Sequence, residues 1–235
     1  MEMKVPFALL DGKIVSPDEV EKHCPGLTCP GCNLPLMVRK GDKRIHHFAH
    51  VNGEGGASCG ETALHLMAKQ IIAESKYIVV PGSTVVLQDG RRATIPPQLL
   101  KIVAAKEEYR IDDIITDIFL VCEKGSLAVE IYVKHKVDEE KKAKLNSMRI
   151  NALEIDLSNQ LDISKENLTK LLLDGTQFKS WLSLFVTVNL PPQQWVTAPR
   201  RRQVTHQIDL DNPQLYSRKS YSNRNRTYFK KRKQH

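Results

Sequence analysis

The segment YRIDDIITDIFLVCEKGSLAVEIYVKHKVDEEKKAKLNSMRINALEIDLS, residues 109–158, decides the fold. Asp117 follows the apolar pair Ile114-Ile115, and Glu130 closes the run Leu127-Ala128-Val129. Lys124-Gly125-Ser126 between them is a turn signal, so the segment predicts a hairpin that brings the two carboxylates together. Carboxylates held close at a sheet repel each other unless a cation lies between them, which favours a divalent metal. Asp113 shares the strand face of Asp117 and competes for the ion; Asp117 is preferred because the apolar run continues through Ile118, Phe119 and Leu120. Asp138 then caps a helix over EEKKAKLNSM, and ALEIDLS is a further apolar strand. A helix crossing from the Glu130 strand to the strand at 152–157 makes that pair parallel, within an α/β sheet.

Working outward, ETALHLMAKQIIAESK repeats Ala63, Leu64, Met67, Ala68, Ile71 and Ile72 at helical spacing. Glu61, His65 and Lys69 line one stripe of that helix, which periodicity alone reads as a solvated face. YIVVPGSTVVL reads as two short β runs about Pro81-Gly82, QDGRRATIPPQLL as a loop, and KIVAAKEEYR as a third strand. Downstream, ISKENLTKLLLDG and TQFKSWLSLF read as two helices split by Asp174-Gly175 and covering the sheet. At the start, VPFALL and KIVS flank Asp11-Gly12 as a hairpin, and Ser16 caps a helical turn opening with Pro17.

Five cysteines stand at 24, 29, 32, 59 and 122, an odd set concentrated near the N-terminus. Such a set suits metal ligation in a reducing compartment better than a disulfide framework. HCPGLTCPGCNLPLMVRKGDKRIHHFAH combines Cys29-x2-Cys32, a hairpin turning at Lys40-Gly41-Asp42, and His46, His47 and His50. Thiolate and imidazole on a knuckle and a returning hairpin fit a structural zinc site. The spacing leaves the histidine pair open between His46/His50 and His47/His50, with Cys24 and Cys59 also within reach.

The net charge of +8 is unevenly placed. Residues 196–235 carry eleven Lys/Arg against Asp209 and Asp211, a net of +9, so the body is close to neutral. This polycation contains Arg200, Arg201, Arg202, Arg224, Arg226, Lys230, Lys231, Arg232 and Lys233, interspersed with Tyr216, Tyr221, Tyr228 and Phe229. Its composition predicts a disordered tail that binds nucleic acid through phosphates and stacking, or a protein partner. No apolar run is long enough for a membrane span and the N-terminus lacks signal-peptide character, so a cytoplasmic protein is expected.

On these residues the chain resembles the competence protein CoiA-like family, nucleases of the PD-(D/E)XK superfamily with an N-terminal zinc-finger-like module. The resemblance rests on Cys29-x2-Cys32, His47-Phe48-Ala49-His50, Glu61-x3-His65-x3-Lys69, Thr116-Asp117-Ile118, and the run from Leu127 to His135. Val137 to Lys141 and Glu154-Ile155-Asp156-Leu157-Ser158 complete it. It implies a restriction-endonuclease-like α/β core, a mixed sheet flanked by helices, at 56–190. A small zinc-binding β module at 1–55 precedes the core, and the basic tail at 191–235 follows it. It further implies zinc on Cys29, Cys32, His47 and His50, and Mg(II) or Mn(II) on Glu61, Asp117 and Glu130. The implied activity is hydrolysis of DNA phosphodiester bonds by metal-activated water; a weaker reading of the whole chain is an RNA-binding zinc protein.

One position departs from the superfamily pattern. The motif wants lysine two residues after the glutamate, and Tyr132 stands there. Lys134, on the same strand face as Glu130, and Lys141, opening the next helix, are the replacements to consider. His135 is a candidate base or phosphate ligand, while Asp156 reads as structural. Loss of the lysine also fits a nuclease fold that only binds nucleic acid or assembles with it.

Overall fold

The computed structural model describes residues 4–86 and 92–185. A first hairpin pairs β1 (Ala8–Leu10) with β2 (Lys13–Val15). Asp11 and Gly12 turn it with φ of 49° and 77°, the left-handed pair that a two-residue hairpin turn requires. A 3-10 turn (Pro17–Glu19) follows, where Ser16 N donates to Glu19 Oε2 at 2.7 Å. β3 (Leu36–Gly41) and β4 (Arg44–His50) form a second hairpin, tied to the start of the chain by the bridge between Val5 and Phe48.

α1 (Cys59–Glu74) buries the helical-period set Ala63, Leu64, Met67, Ala68, Ile71 and Ile72. β5 (Tyr77–Val80) and β6 (Ser83–Val86) flank Pro81-Gly82 as expected. The stretch expected to be a loop is partly strand: β7 (Arg92–Ile95) pairs with β6, and β8 (Gln98–Ile111) starts directly after Pro96-Pro97 and pairs with β5. The two prolines divide strands that serve different ladders, so neither ladder loses a donor.

β9 (Ile114–Cys122) and β10 (Gly125–Tyr132) form the expected hairpin, with Leu120 opposite Leu127. α2 (Glu139–Ser147) is capped by Asp138, whose Oδ1 accepts from Lys141 N at 2.7 Å. It returns the chain to β11 (Ala152–Asp156), parallel to β10 as the crossover required. α3 (Lys165–Leu173) is the first of the two expected terminal helices. The second is not a helix: it is β12 (Lys179–Ser183), antiparallel to β11. Pairing with an open sheet edge overrides the weak helical preference of so short a run.

Six strands form one mixed sheet in the order β12-β11-β10-β9-β8-β5. The sheet curls until its outer strands are bridged: Lys179 Nζ donates to Val79 O at 2.5 Å, and Trp181 Nε1 donates to Pro81 O at 3.0 Å. α1 and α3 pack on one face, over Ile118, Leu120, Val129 and Leu153, and α2 covers the other with Leu145 against Ile114, Ala128 and Ala152. Phe7, Leu27, Cys29 and Phe48 belong to the same core as α1 and the sheet, so one apolar core runs across residue 55. No helix of the described residues is long and apolar enough to cross a membrane. The basic tail, from Arg200 to Lys233, lies outside the described residues.

Candidate functional site

Cys29, Cys32, His50 and Cys59 converge, with one ligand atom of each within 4.8 Å of all the others. Cys32 Sγ and His50 Nε2 are 3.3 Å apart, near the roughly 3.3–3.8 Å that neighbouring ligands span around a tetrahedral zinc. Cys29 and Cys32 come from the knuckle, His50 ends β4, and Cys59 opens α1. Two glycines make the closure possible. A Cβ at Gly55 would lie 2.1 Å from the His50 ring, and one at Gly31 would lie 3.0 Å from Cys59 Cα. Burial, with hydrogen bonding and charge from Cys29 and Cys32, pushes the Cys59 thiol up to about 12, a crowding that a bound cation relieves. The cluster could hold a zinc ion.

His47, expected in this set, lies outside it, and Cys59 supplies the fourth ligand. In β4 side chains alternate, so His47 faces away from His50; it pairs with Arg39 across the hairpin, and its Nδ1 lies 2.9 Å from Ile45 O. His46 contacts Asp18 Oδ1 at 2.5 Å, and Cys24 Sγ lies 3.5 Å from Pro25 O.

A second centre is a cleft of about 590 Å³ where Asp117 of β9 and the end of β10 meet α1, the 133–138 loop and α2. Continuing the β9–β10 register places Glu130 across from Asp117. Asp117 Oδ2 accepts from Ile131 N at 2.8 Å and stands 3.1 Å from His65 Nε2, without the alignment of a hydrogen bond. Lys141 Nζ reaches in from α2 to Glu130 Oε2 at 2.6 Å. Glu61 Oε2 lies 3.5 Å from Lys134 Nζ. The Glu61 stripe is therefore no solvated face: its first two residues line the cleft, and Lys69 is buried against Glu107 and Glu108.

The electrostatics divide the two acids. Burial pushes Glu130 up, the Lys141 ammonium opposes it, and the charges of Asp117 and Glu154 add to burial, leaving the carboxyl at about 7. Burial raises Asp117 as well, but His65, the Ile131 N–H and the more distant Lys141 outweigh it and hold the group below the usual carboxylate range. Glu61 Oε2, His65 Nε2 and Glu130 Oε1 are buried without hydrogen-bond partners. Hard oxygen donors left open in a polar cleft fit Mg(II) or Mn(II), which bind through one or two carboxylates and retain waters. Among the described residues, the Cys/His cluster alone brings three or more such ligand atoms within 4.8 Å.

Other expected residues lie at the cleft's rim or away from it. His135 and Lys134 line it beyond the end of β10, and Tyr132 lines it two residues after Glu130. Asp113 sits at the β8–β9 turn, paired with Lys144 at 2.5 Å, and Asp156 accepts from Ser158 N and Oγ. Two participants had escaped assignment. His65 was visible only as the middle of the Glu61 stripe. Glu154 is 2% exposed, lies beside Glu130 in the parallel register, and accepts from Val137 N at 3.1 Å. Its signal was an acid between Leu153 and Ile155 in the middle of a strand.

Residues 18–59 match the family described as Competence protein CoiA, N-terminal domain. The matched segment ends on Cys59, the fourth member of the cluster. This segment is similar to a CoiA N-terminal domain. The CoiA-like match spans the knuckle, the β3–β4 hairpin and the glycine-rich link, and stops where α1 begins. No curated protein and no solved structure matches the chain.

Proposed function

We propose that this CoiA-like chain is a Mg(II)- or Mn(II)-dependent nuclease that hydrolyses DNA phosphodiester bonds at the Asp117–Glu130 cleft. The observation that carries the reading is the 2.6 Å approach of Lys141 Nζ to Glu130 Oε2. It puts an ammonium beside the paired acids although the strand offers Tyr132 where the superfamily motif has lysine. The match of residues 18–59 to the N-terminal domain of competence protein CoiA supports a competence-related role.

Each side chain has a definite task. Asp117, ionised at neutral pH and fixed by Ile131 N–H, is a permanent anionic ligand. Glu130, held near 7 by burial, would be a ligand for which a proton and the cation compete. Glu61 contributes the third carboxylate. Lys141 offers positive charge to a phosphate oxygen as negative charge develops there. Lys134 and His135 meet the backbone at the rim, and the basic tail adds affinity independent of base sequence. When bound, the divalent ion supplies acidity to a water and positive charge against the phosphodiester.

The test is cleavage of single-stranded and duplex DNA with Mg(II) or Mn(II) by the wild type, Glu130→Ala and Asp117→Ala. Metal-dependent cleavage, reduced about 100-fold or more in each variant, is the expected result. No metal-dependent cleavage of any substrate sinks the proposal. Tyr132 favours a second reading, an inactive nuclease fold that binds DNA or RNA or serves as an assembly module. Tight binding without cleavage selects it.

A further inference from the structure

The β3–β4 hairpin carries a basic groove that neither the zinc cluster nor the cleft uses. Its lining, about 550 Å³ in volume, includes Lys22, Arg39, Lys40, Lys43, Arg44 and His47, with Asp42 the one acid among the lining residues. Lys22, Arg39, Lys43 and Arg44 are exposed. Two acids of the adjoining 3-10 turn face other partners: Asp18 contacts His46 and Glu19 pairs with Lys165, each at 2.5 Å. Lys40 Nζ donates to Val20 O at 2.6 Å, which ties the hairpin to the chain after the 3-10 turn. Ile45, 50% exposed, gives the groove an apolar patch between cations.

The shape restricts the partner. β3 and β4 form a two-stranded sheet whose base is held by the rest of the chain, with Phe48 bridged to Val5 and Leu36 N donating to Leu27 O, while toward the tip no further strand pairs with it among the described residues. From Phe48, which is buried and bridged to Val5, to Arg44 near the tip, four strand steps extend about 13 Å. A two-stranded ribbon of this kind enters the major groove of B-form DNA, whose flanking phosphates meet basic side chains. The deep, narrow major groove of A-form RNA excludes it. The zinc cluster links this arm to the cleft: His50 ends the arm, Cys59 opens α1, and Glu61 already lines the cleft.

We propose that the β3–β4 hairpin is a duplex-DNA docking arm that holds the phosphate backbone through Lys22, Lys43 and Arg44 while the bound duplex extends to the cleft. This rests on the nuclease reading and names where its substrate is gripped. The apolar patch at Ile45 then lies against sugars or a thymine methyl between the phosphate contacts.

The test compares the full-length wild type with the double variant Lys43→Ala/Arg44→Ala. A labelled B-form duplex is titrated by fluorescence anisotropy without added Mg(II) or Mn(II), across a salt series. Loss of two phosphate contacts makes the slope of log affinity against log salt shallower by about 1.8. Raising salt from about 50 to about 200 mM then weakens the wild type roughly tenfold more than the variant. Lys43→Arg/Arg44→Lys keeps the wild-type slope, and unchanged zinc content in both variants shows that the module is folded. An RNA duplex of the same sequence binds more weakly than DNA and responds little to the alanine pair. Equal salt slopes for wild type and alanine variant overturn the proposal, as does an RNA duplex that loses as much as DNA. A reduced slope without any cleavage leaves the arm standing and removes the nuclease reading. Cleavage with an unchanged slope does the reverse.

Discussion

Lys141 Nζ and Glu130 Oε2 are 2.6 Å apart although they stand on different elements, the first turn of α2 and the end of β10. Asp138 makes this possible: by capping α2 through Lys141 N it fixes the backbone from which the ammonium reaches inward. The two side chains are 24% and 5% exposed, so the pair lies between a surface bridge and a fully buried one.

Lys141→Ala is accordingly expected to destabilise the fold by about 1–3 kcal/mol at pH 8, less than the roughly 3–5 kcal/mol lost when a fully buried pair is broken. The loss comes from leaving the Glu130 charge unpartnered. At pH 5 Glu130 is neutral and the deficit shrinks. Urea unfolding at the two pH values checks this, and an equal deficit at both would show that the charge is not the cause.

The raised pKa of Glu130 sets a wider pH dependence. Its folded value of about 7 exceeds the ordinary 4.5, so the folded state holds the proton more tightly than the unfolded chain. The resulting stability is fully present below about pH 4.5 and is lost as pH rises through 7, a decline on the order of 3 kcal/mol. Glu130→Gln removes this component. Unfolding free energies of the two proteins from pH 4.5 to 8 should diverge by that amount, with the wild type falling relative to the variant. Added Mg(II) or Mn(II) competes with the proton, so its affinity for the wild type should climb over the same interval.

For the zinc cluster the geometry separates ligands from bystanders. Cys59→Ser and His50→Ala should bring bound zinc well below one ion per chain, while His47→Ala keeps it. Gly55→Ala should also weaken zinc binding, since its Cβ would fall 2.1 Å from the His50 ring. Structural zinc sites contribute on the order of 10 kcal/mol, so zinc removal is expected to unfold the hairpin and loosen the start of α1. Metal analysis after gel filtration gives the stoichiometry. A His47→Ala protein without zinc would overturn the assignment.

Much of this arrangement was legible because it is local. The β9–β10 hairpin, the Asp138 cap and the parallel return to β11 each follow from neighbouring residues and their spacing. Choosing His47 instead of Cys59 followed a motif where alternation decides: on a strand, His47 and His50 face opposite ways. Cys59 was hidden by its place at the start of a helix beyond a glycine-rich link, since only folding brings it to the knuckle. β12 was misread for a related reason. KSWLS has no decisive period by itself, and its state is set by the β11 edge and by Trp181 bonding to Pro81. Lys141 could be named as a candidate, but the reach of its side chain to Glu130 depends on how α2 packs.

That packing permits a direct test of whether Lys141 takes the part of the missing motif lysine. Glu130 and Tyr132 share a strand face, and Tyr132 already lines the cleft, so a lysine at 132 would extend into the same space. If Lys141 supplies the ammonium that the chemistry needs, Lys141→Ala should lower kcat about 100-fold with a smaller change in KM. Adding Tyr132→Lys to that variant should then recover at least about a tenth of the lost rate, whereas Tyr132→Phe recovers none. Tyr132→Lys in the wild-type background should give little gain, because two ammonium groups beside one carboxylate repel each other. Single-turnover cleavage of one duplex by all four variants measures each step. Should Tyr132→Lys fail to restore any rate while zinc content and unfolding remain normal, Lys141 acts through the packing of α2 and not as the replacement lysine.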